Sequence, residues 1–453
     1  MRRAPRYLAL ALGAALTAAV AAPIGAQAYQ VTSVGDQGTY VIRGARIVTL
    51  NGPDIENGTV VIRNGRIEAV GASVQVPANA RLIEAAGLTV YPGMMDAATN
   101  MGLVEIPQGA NPTVDLSEPG DFNPQARAIV AIHPHSQHFA VSRMVGVTSV
   151  VSMPRGGLIA GQAATINLAG SANADFALTP HAALVINLPR TGGGGFGFGG
   201  GFGGFGGGGS NQANRDKQLA DLRSILRDAE SYGRAHAAYA ADRRLPRPAE
   251  DVVLASLVPY VRGERPVIFG ADRAADIRSA VQFATEMNLK PIIMGGTEAY
   301  LVTDLLRQRD VPVILTSVLR QPAREDDPYS LNYETAGKLH RAGVRFSIST
   351  GNDGSSVRDL PFHAGMASAH GLPKGEALKA VTLAPAQIMN VADRIGSIEV
   401  GKVANIVVTD GDLLEPRTNT RYLFIDGRPI ELTSRHEELY KEFRDRKRPV
   451  ITP

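Results

Sequence analysis

The sequence predicts an α/β protein in which a closed (β/α)8, TIM-type barrel carries a small β domain made from both chain ends. Three observations lead there. Both ends of the chain are strand-like. The middle alternates short apolar runs with helical stretches. Those runs are apolar throughout, the mark of parallel strands covered on both faces. Hydrophobic residues make up 44% and charged residues 20% of the 453, an ordinary globular composition that argues against a disordered or fibrous chain. A single barrel absorbs about 250 residues or more, so the length does not require three domains.

The elements follow in order. Tyr40-Val41-Ile42 and Ala45-Arg46-Ile47-Val48 read as strands around the Arg43-Gly44 turn. Thr59 to Arg63 and Arg66 to Val70 flank Asn64-Gly65, a type I′ hairpin signal, because both central residues of that turn need positive φ. At the far end, Asn405 to Thr409 and Tyr422 to Ile425, with Asp426-Gly427, repeat the style. In the middle, Pro266 to Phe269 precedes a helix over 274–288, and Pro291 to Met294 precedes one over 297–307. Val311 to Leu315 follows, then a helix over 333–342 and a strand over 344–348. Earlier strands are expected at 89–91, 148–151 and 183–186, and a charged helix over 216–239. Thr191 to Ser210 is almost all glycine, punctuated by Phe196, Phe198, Phe202 and Phe205. It reads as a flexible insertion. A dinucleotide-binding loop needs a tight strand–turn–helix unit, and this stretch is too long for one.

Composition excludes several chemistries. There is no cysteine, hence no disulfide, thiolate zinc site, iron–sulfur cluster or cysteine nucleophile. There is no tryptophan and aromatic content is 6%, which does not suggest stacking platforms. The formal net charge is +3, and setting aside Arg2, Arg3 and Arg6 leaves 43 basic against 43 acidic residues. With no basic stripe, nucleic acid is not an expected partner. Residues 1–28 read as a secretory signal: a basic start, an apolar run from Tyr7 to Ile24, and Ala26-Gln27-Ala28 as a small-x-small cleavage site. The mature chain is expected in the periplasm or secreted, with no membrane attachment after cleavage.

The line Val90-Tyr91-Pro92-Gly93-Met94-Met95-Asp96-Ala97-Ala98-Thr99-Asn100 resembles the first barrel strand of the amidohydrolase superfamily, its imidazolonepropionase-like branch especially. Glu376 to Ala386 resembles that family's late helix, and Gly396 to Val408 its return to the β domain. The resemblance implies a composite β-sandwich beside the barrel and a hydrolase of carbon–nitrogen bonds, often cyclic amides. The expected organisation is a β-sandwich from 29–90 and 395–433, a barrel over 91–394 with the insertion at 191–210, and a helix and tail over 434–453. Gly396 to Val403 also reads G-x-x-x-x-G-K-V. It lacks the final hydroxyl of a phosphate loop and a following helix, so a β turn is expected.

The family's members usually polarise an amide with one or two metals and deprotonate a bound water. The resemblance places the first-strand His-x-His at Ala98 and Asn100, later histidines at Phe269-Gly270-Ala271-Asp272 and Met294-Gly295-Gly296-Thr297, and the last-strand aspartate at Gly351, with Asp353 two places on. A methyl cannot ligate, and an amide oxygen is a poor transition-metal ligand. No metal ligands and no cofactor are therefore expected; zinc or another divalent metal would require a rebuilt site. His133, His135 and His138 form a tight cluster, read as a solvated helix start with Pro134 in its first turn.

Barrel sites lie at the carboxyl ends of the strands. That selects Asp353, Asp96 and His363 as candidate catalytic groups, and Asn100, Arg155, Gln162 and Asp272 as candidate substrate contacts, with Thr99, Arg273, Thr297, Glu298 and Asn352 nearby. Structural roles compete: Asp272 as a helix cap, Arg155 as a loop clamp, Asp96 as a tie at the strand end. Two functions follow. One is a hydrolase of carbon–nitrogen bonds that works without the usual metals. The other is a non-catalytic protein that binds a small molecule, forms a homo-oligomer, or docks onto an intact amidohydrolase relative.

Overall fold

The computed structural model describes residues 34–106, 113–170, 172–189, 212–322, 324–351, 353–444 and 446. The expected leader, the glycine-rich insertion and Asn352 lie outside them. Among the described residues no helix is long and apolar enough to cross a membrane.

Two eight-stranded sheets organise the molecule. The first runs β1 (Thr39–Ile47), β2 (Ile55–Arg63), β3 (Arg66–Gly71), β4 (Arg81–Glu84) and β5 (Thr89–Pro92), and is completed by strands from the far end of the chain. The turn between β2 and β3 is the expected one: Arg63 pairs with Arg66, and Asn64 and Gly65 both have positive φ, at 49° and 80°.

The second sheet holds β6 (Met94–Thr99), β7 (Val147–Ser152), β8 (Ile159–Asn167), β9 (Ala177–Ile186), β10 (Pro266–Ala271), β11 (Lys290–Gly295), β12 (Val313–Leu315) and β13 (Phe346–Ile348), adjacent in that order. It is a nearly closed barrel of the TIM type. Strict strand–helix alternation breaks at one place. β8 runs antiparallel to both β7 and β9, and sequence reading passed over it. Its nine residues are all buried, so it shows no alternation, and Gly161 within it has a φ of 133°.

The remaining strands, β14 (Ile406–Thr409), β15 (Thr420–Ile425) and β16 (Arg428–Pro429), join the first sheet, β14 lying against β5. One connected sheet therefore combines strands that precede the barrel with strands that follow it.

Between β13 and β6 the barrel is closed by other means. The family-like late helix is in fact two, Lys374–Lys379 and Leu383–Ile388. The break frees two carbonyls: Ile348 N donates to Ala380 O at 2.8 Å, and Met95 N donates to Val381 O at 2.8 Å. A helix interrupted at this point thus satisfies the backbone of both edge strands. The P-loop-like stretch is a turn, as expected, with Gly401 at φ 91° and Lys402 ion-paired to Glu399 at 2.7 Å.

Candidate functional site

A cavity of about 280 Å³ opens at the carboxyl ends of the barrel strands. β6 contributes Ala98 and Thr99, and the segment after β7 contributes Met153, Pro154 and Arg155. β9 and its exit contribute Val185, Asn187 and Leu188. Gly270, Met294 and Gly351 close the far wall, at or just beyond the ends of β10, β11 and β13. Of the positions that the resemblance aligned with ligands, Ala98 and Gly351 thus line one cavity together with Gly270 and Met294 from the two aligned stretches, whereas Asn100 is not part of the lining.

Two glycines near that wall are fixed by their surroundings. Gly351 has a φ of 78°, and a Cβ there would fall 2.3 Å from Thr316 Cβ. Gly295 has a φ of 113°, and its Cβ would fall 2.7 Å from Asp272 Oδ1. Both conformations belong to glycine. Gly270 differs: its Cβ would meet only Met294 Cε at 3.8 Å and Asn187 Oδ1 at 3.9 Å, which is ordinary contact.

Of the seven candidates, Arg155 alone lines this cavity. Burial lowers its pKa, Asp353 opposes that shift and Arg320 adds to it, so three charges share the neighbourhood. Asp353 is exposed and accepts from Asn100 Nδ2 at 3.3 Å, while Asn100 Oδ1 accepts from Gly354 N at 2.8 Å. Asn100 therefore locks the segment after β13 onto β6.

Asp96 is fully buried. Its carboxylate accepts from Ser349 Oγ, Thr350 N at 3.1 Å, Thr350 Oγ1 at 2.5 Å and Ala98 N at 3.2 Å. Burial pushes its pKa up against those bonds. The geometry is that of the strand-end tie, extended to the neighbouring strand's exit. His363 lies in the helix Leu360–Ala369 and is 7% exposed. Its Nδ1 has no hydrogen-bond partner among the described residues. Burial, with help from Arg320, lowers its pKa to about 4, so the ring is neutral at pH 7.

Gln162 and Asp272 lie outside the cavity lining. Gln162 Oε1 meets His181 Nδ1 at 2.6 Å and accepts from Tyr260 OH at 3.3 Å, while its Nε2 donates to Pro124 O at 2.7 Å. Asp272 accepts from Thr297 Oγ1 at 2.8 Å. It does not cap the helix Ala274–Glu286; Glu298 Oε2 takes the Ala274 N–H at 2.9 Å instead. Sequence reading missed Asn187. The available signal was a polar residue directly after the apolar run 183–186.

The three clustered histidines sit at the helix Gln137–Arg143 and just before it. The rings of His133 and His135 meet edge-on at 6.1 Å, and a ring nitrogen of His138 lies 3.3 Å from Glu105 O. Pro134 precedes the helix rather than occupying its first turn. Among the described residues, no group of three or more His, Cys, Asp or Glu could hold a metal ion.

Residues 274–430 match the model of the amidohydrolase family. The chain is 24% identical over 419 residues to amidohydrolase tasK of Hapsidospora irregularis, across 85% of this chain and 41% of that protein. It therefore spans under half the length of that relative. The fold is similar to that of an amidohydrolase from Thermotoga maritima MSB8, with a TM-score of 0.75 and 22% identity over 87% of this chain and all of the other. A prolidase complexed with N-methylphosphonate-L-proline is more distant, at a TM-score of 0.53 and 17% identity over 87% of this chain and 99% of that one.

Proposed function

We propose that this chain, which the match over residues 274–430 and the folds it resembles support as a member of the amidohydrolase superfamily, binds a small organic molecule at its barrel mouth without the superfamily's metal-assisted hydrolysis. One observation carries this. Ala98, Gly270, Met294 and Gly351 converge on one cavity, and none of them bears an imidazole or a carboxylate. A catalytic zinc site normally takes three protein ligands. The donor set here does not fit one, and backbone geometry at Gly351 and Gly295 opposes any side chain. What is left is a concave, largely apolar site with a few placed polar groups, which suits a small ligand. The leader-like residues 1–28 support export of the mature chain. Strands from both sides of the barrel share one connected sheet, which supports a composite β domain of the kind expected for the imidazolonepropionase-like branch.

The second reading is metal-independent hydrolysis of a carbon–nitrogen bond, favoured by the family match and by the prolidase among the structural neighbours. Asp353 is its best candidate, since it is exposed and its charge acts on Arg155 at the cavity wall, whereas Asp96 is saturated with donors and His363 is buried.

The test is metal analysis of the purified mature chain, with a turnover screen on cyclic amides and dipeptides before and after chelation. Substoichiometric metal and no turnover are expected. Turnover abolished by chelator and restored by zinc would overturn the proposal. Chelator-resistant turnover lost in Asp353→Ala would establish the second reading. Co-purification with a relative that retains the full ligand set would identify the partner form of the binding role.

A further inference from the structure

Polar side chains around the barrel-mouth cavity are mostly paired already. Thr99 Oγ1 donates to Val151 O at 3.2 Å and accepts from Met101 N at 3.0 Å. Arg155 has partners of its own. Asn187 differs. Its Nδ2 donates to Gly157 O at 3.0 Å and to Gly156 O at 3.4 Å. Carbonyls only accept, so the nitrogen must face them and Oδ1 is turned the other way. Among the described residues nothing donates to that oxygen. Gly270 shows where it sits. Ile268, two residues earlier on β10, shares one buried cluster with Val185, Ile292 and Met294 of the neighbouring strands, and strand side chains two apart point to the same face. A Cβ on Gly270 would project to that face, 3.9 Å from Asn187 Oδ1 and 3.8 Å from Met294 Cε. The space left by the missing side chain thus lies between an open acceptor and a methyl group. Ala98, Met153, Pro154, Val185 and Leu188 add apolar wall to the same cavity.

We propose, resting on the binding role above, that Asn187 sets the specificity of this cavity: it takes an uncharged molecule with an apolar body and one N–H or O–H donor, the donor meeting Asn187 Oδ1 in the space beside Gly270. An amide oxygen covered by a ligand that cannot donate loses its water without replacement. A carboxylate would bring acceptors against an acceptor. An ammonium would find one neutral partner and otherwise apolar groups, which does not offset burial of its charge.

The probes are indole; indene, which keeps the outline but has a methylene in place of the N–H; indole-3-acetate; and tryptamine. Titration calorimetry on the mature chain should show indole binding and indene weaker by about tenfold, the ratio that one lost hydrogen bond to a covered acceptor produces. Both charged probes should bind more weakly than indole. Asn187→Leu should bring indole and indene to the same affinity, and Asn187→Ala gives that readout if the leucine variant does not fold. Gly270→Ala should weaken indole and Gly270→Val should abolish its binding, each with a cooperative thermal melt, since Gly270 does not have a positive φ and β-branched residues suit strands. Equal binding of indole and indene, an unchanged ratio between them in Asn187→Leu, or tighter binding of either charged probe overturns the proposal. If indole itself does not bind, a diverse fragment screen makes the same comparison. Uncharged donor-bearing fragments favoured over donor-free analogues, with the preference lost in Asn187→Leu, support the proposal. Fragments that are blocked by Gly270→Val but show no such preference overturn it and leave the binding role standing. If no fragment is blocked, both fall.

Discussion

Asp96 receives four hydrogen bonds, three of them from Ser349 and Thr350 beyond the end of β13. It stitches the barrel where, among the described residues, β13 and β6 share no strand ladder. Asp96→Ala leaves two buried hydroxyls and two amide donors without their acceptor. A loss of about 3 kcal/mol or more is expected, in line with breaking a buried network, and urea unfolding measures it. His363 gives a pH prediction. Its pKa is about 4 in the folded chain against an ordinary 6.5. The folded state disfavours the proton that the unfolded state accepts. The contribution of neutral His363 is therefore full above pH 6.5 and is lost as the pH falls towards 4, on the order of 3 kcal/mol in all. Between pH 7 and pH 4.5 the urea midpoint of the native chain should drop more than that of His363→Leu. Equal drops would show that other groups control the acid limb. The tie at the strand end was one of two roles the sequence offered for Asp96; that its partners come from Ser349 and Thr350, and that His363 is enclosed, only packing shows.

At the scale of elements, the β2–β3 hairpin was readable because turn chemistry is local. Asn64-Gly65 prescribes positive φ at two consecutive positions, whatever surrounds it. Gly65 also has no room: a Cβ would lie 2.9 Å from Gln37 Nε2 and 3.2 Å from Asp426 O. Gly65→Ala should cost about 1–2 kcal/mol through strain and crowding, read as a lowered thermal midpoint, whereas Gly87→Ala, which meets nothing within 4 Å, should cost only the backbone term of about 1 kcal/mol. β8 was not readable. A strand buried on both faces and rich in small residues lacks the alternation that marks strands. The split of the late helix was equally hidden, because its cause is the need of two distant edge strands for acceptors at Ala380 and Val381.

Across the whole molecule, Asn405 joins the two sheets. Its Nδ2 donates to Asn167 Oδ1 at 2.8 Å, at the end of β8, its Oδ1 accepts from Asp426 N at 2.9 Å, and its carbonyl accepts from Gly93 N at 2.9 Å. Asn405→Ala should cost about 2 kcal/mol and raise amide exchange in β14 and β15 more than in β10 and β11. Uniform exchange would show that the sheets are coupled elsewhere. By itself the sequence determined the alternating strand–helix rhythm, the strands at both ends, the tight turns and the identity of the side chains at each strand terminus. These depend on neighbours a few residues apart. The tertiary structure alone decided that six such termini meet around one cavity, that Arg155 and Asn187 line it while Gln162 and Asp272 turn to other partners, and that Gly351 has no room for a side chain. Those outcomes depend on contacts between segments hundreds of residues apart, and no local pattern records them.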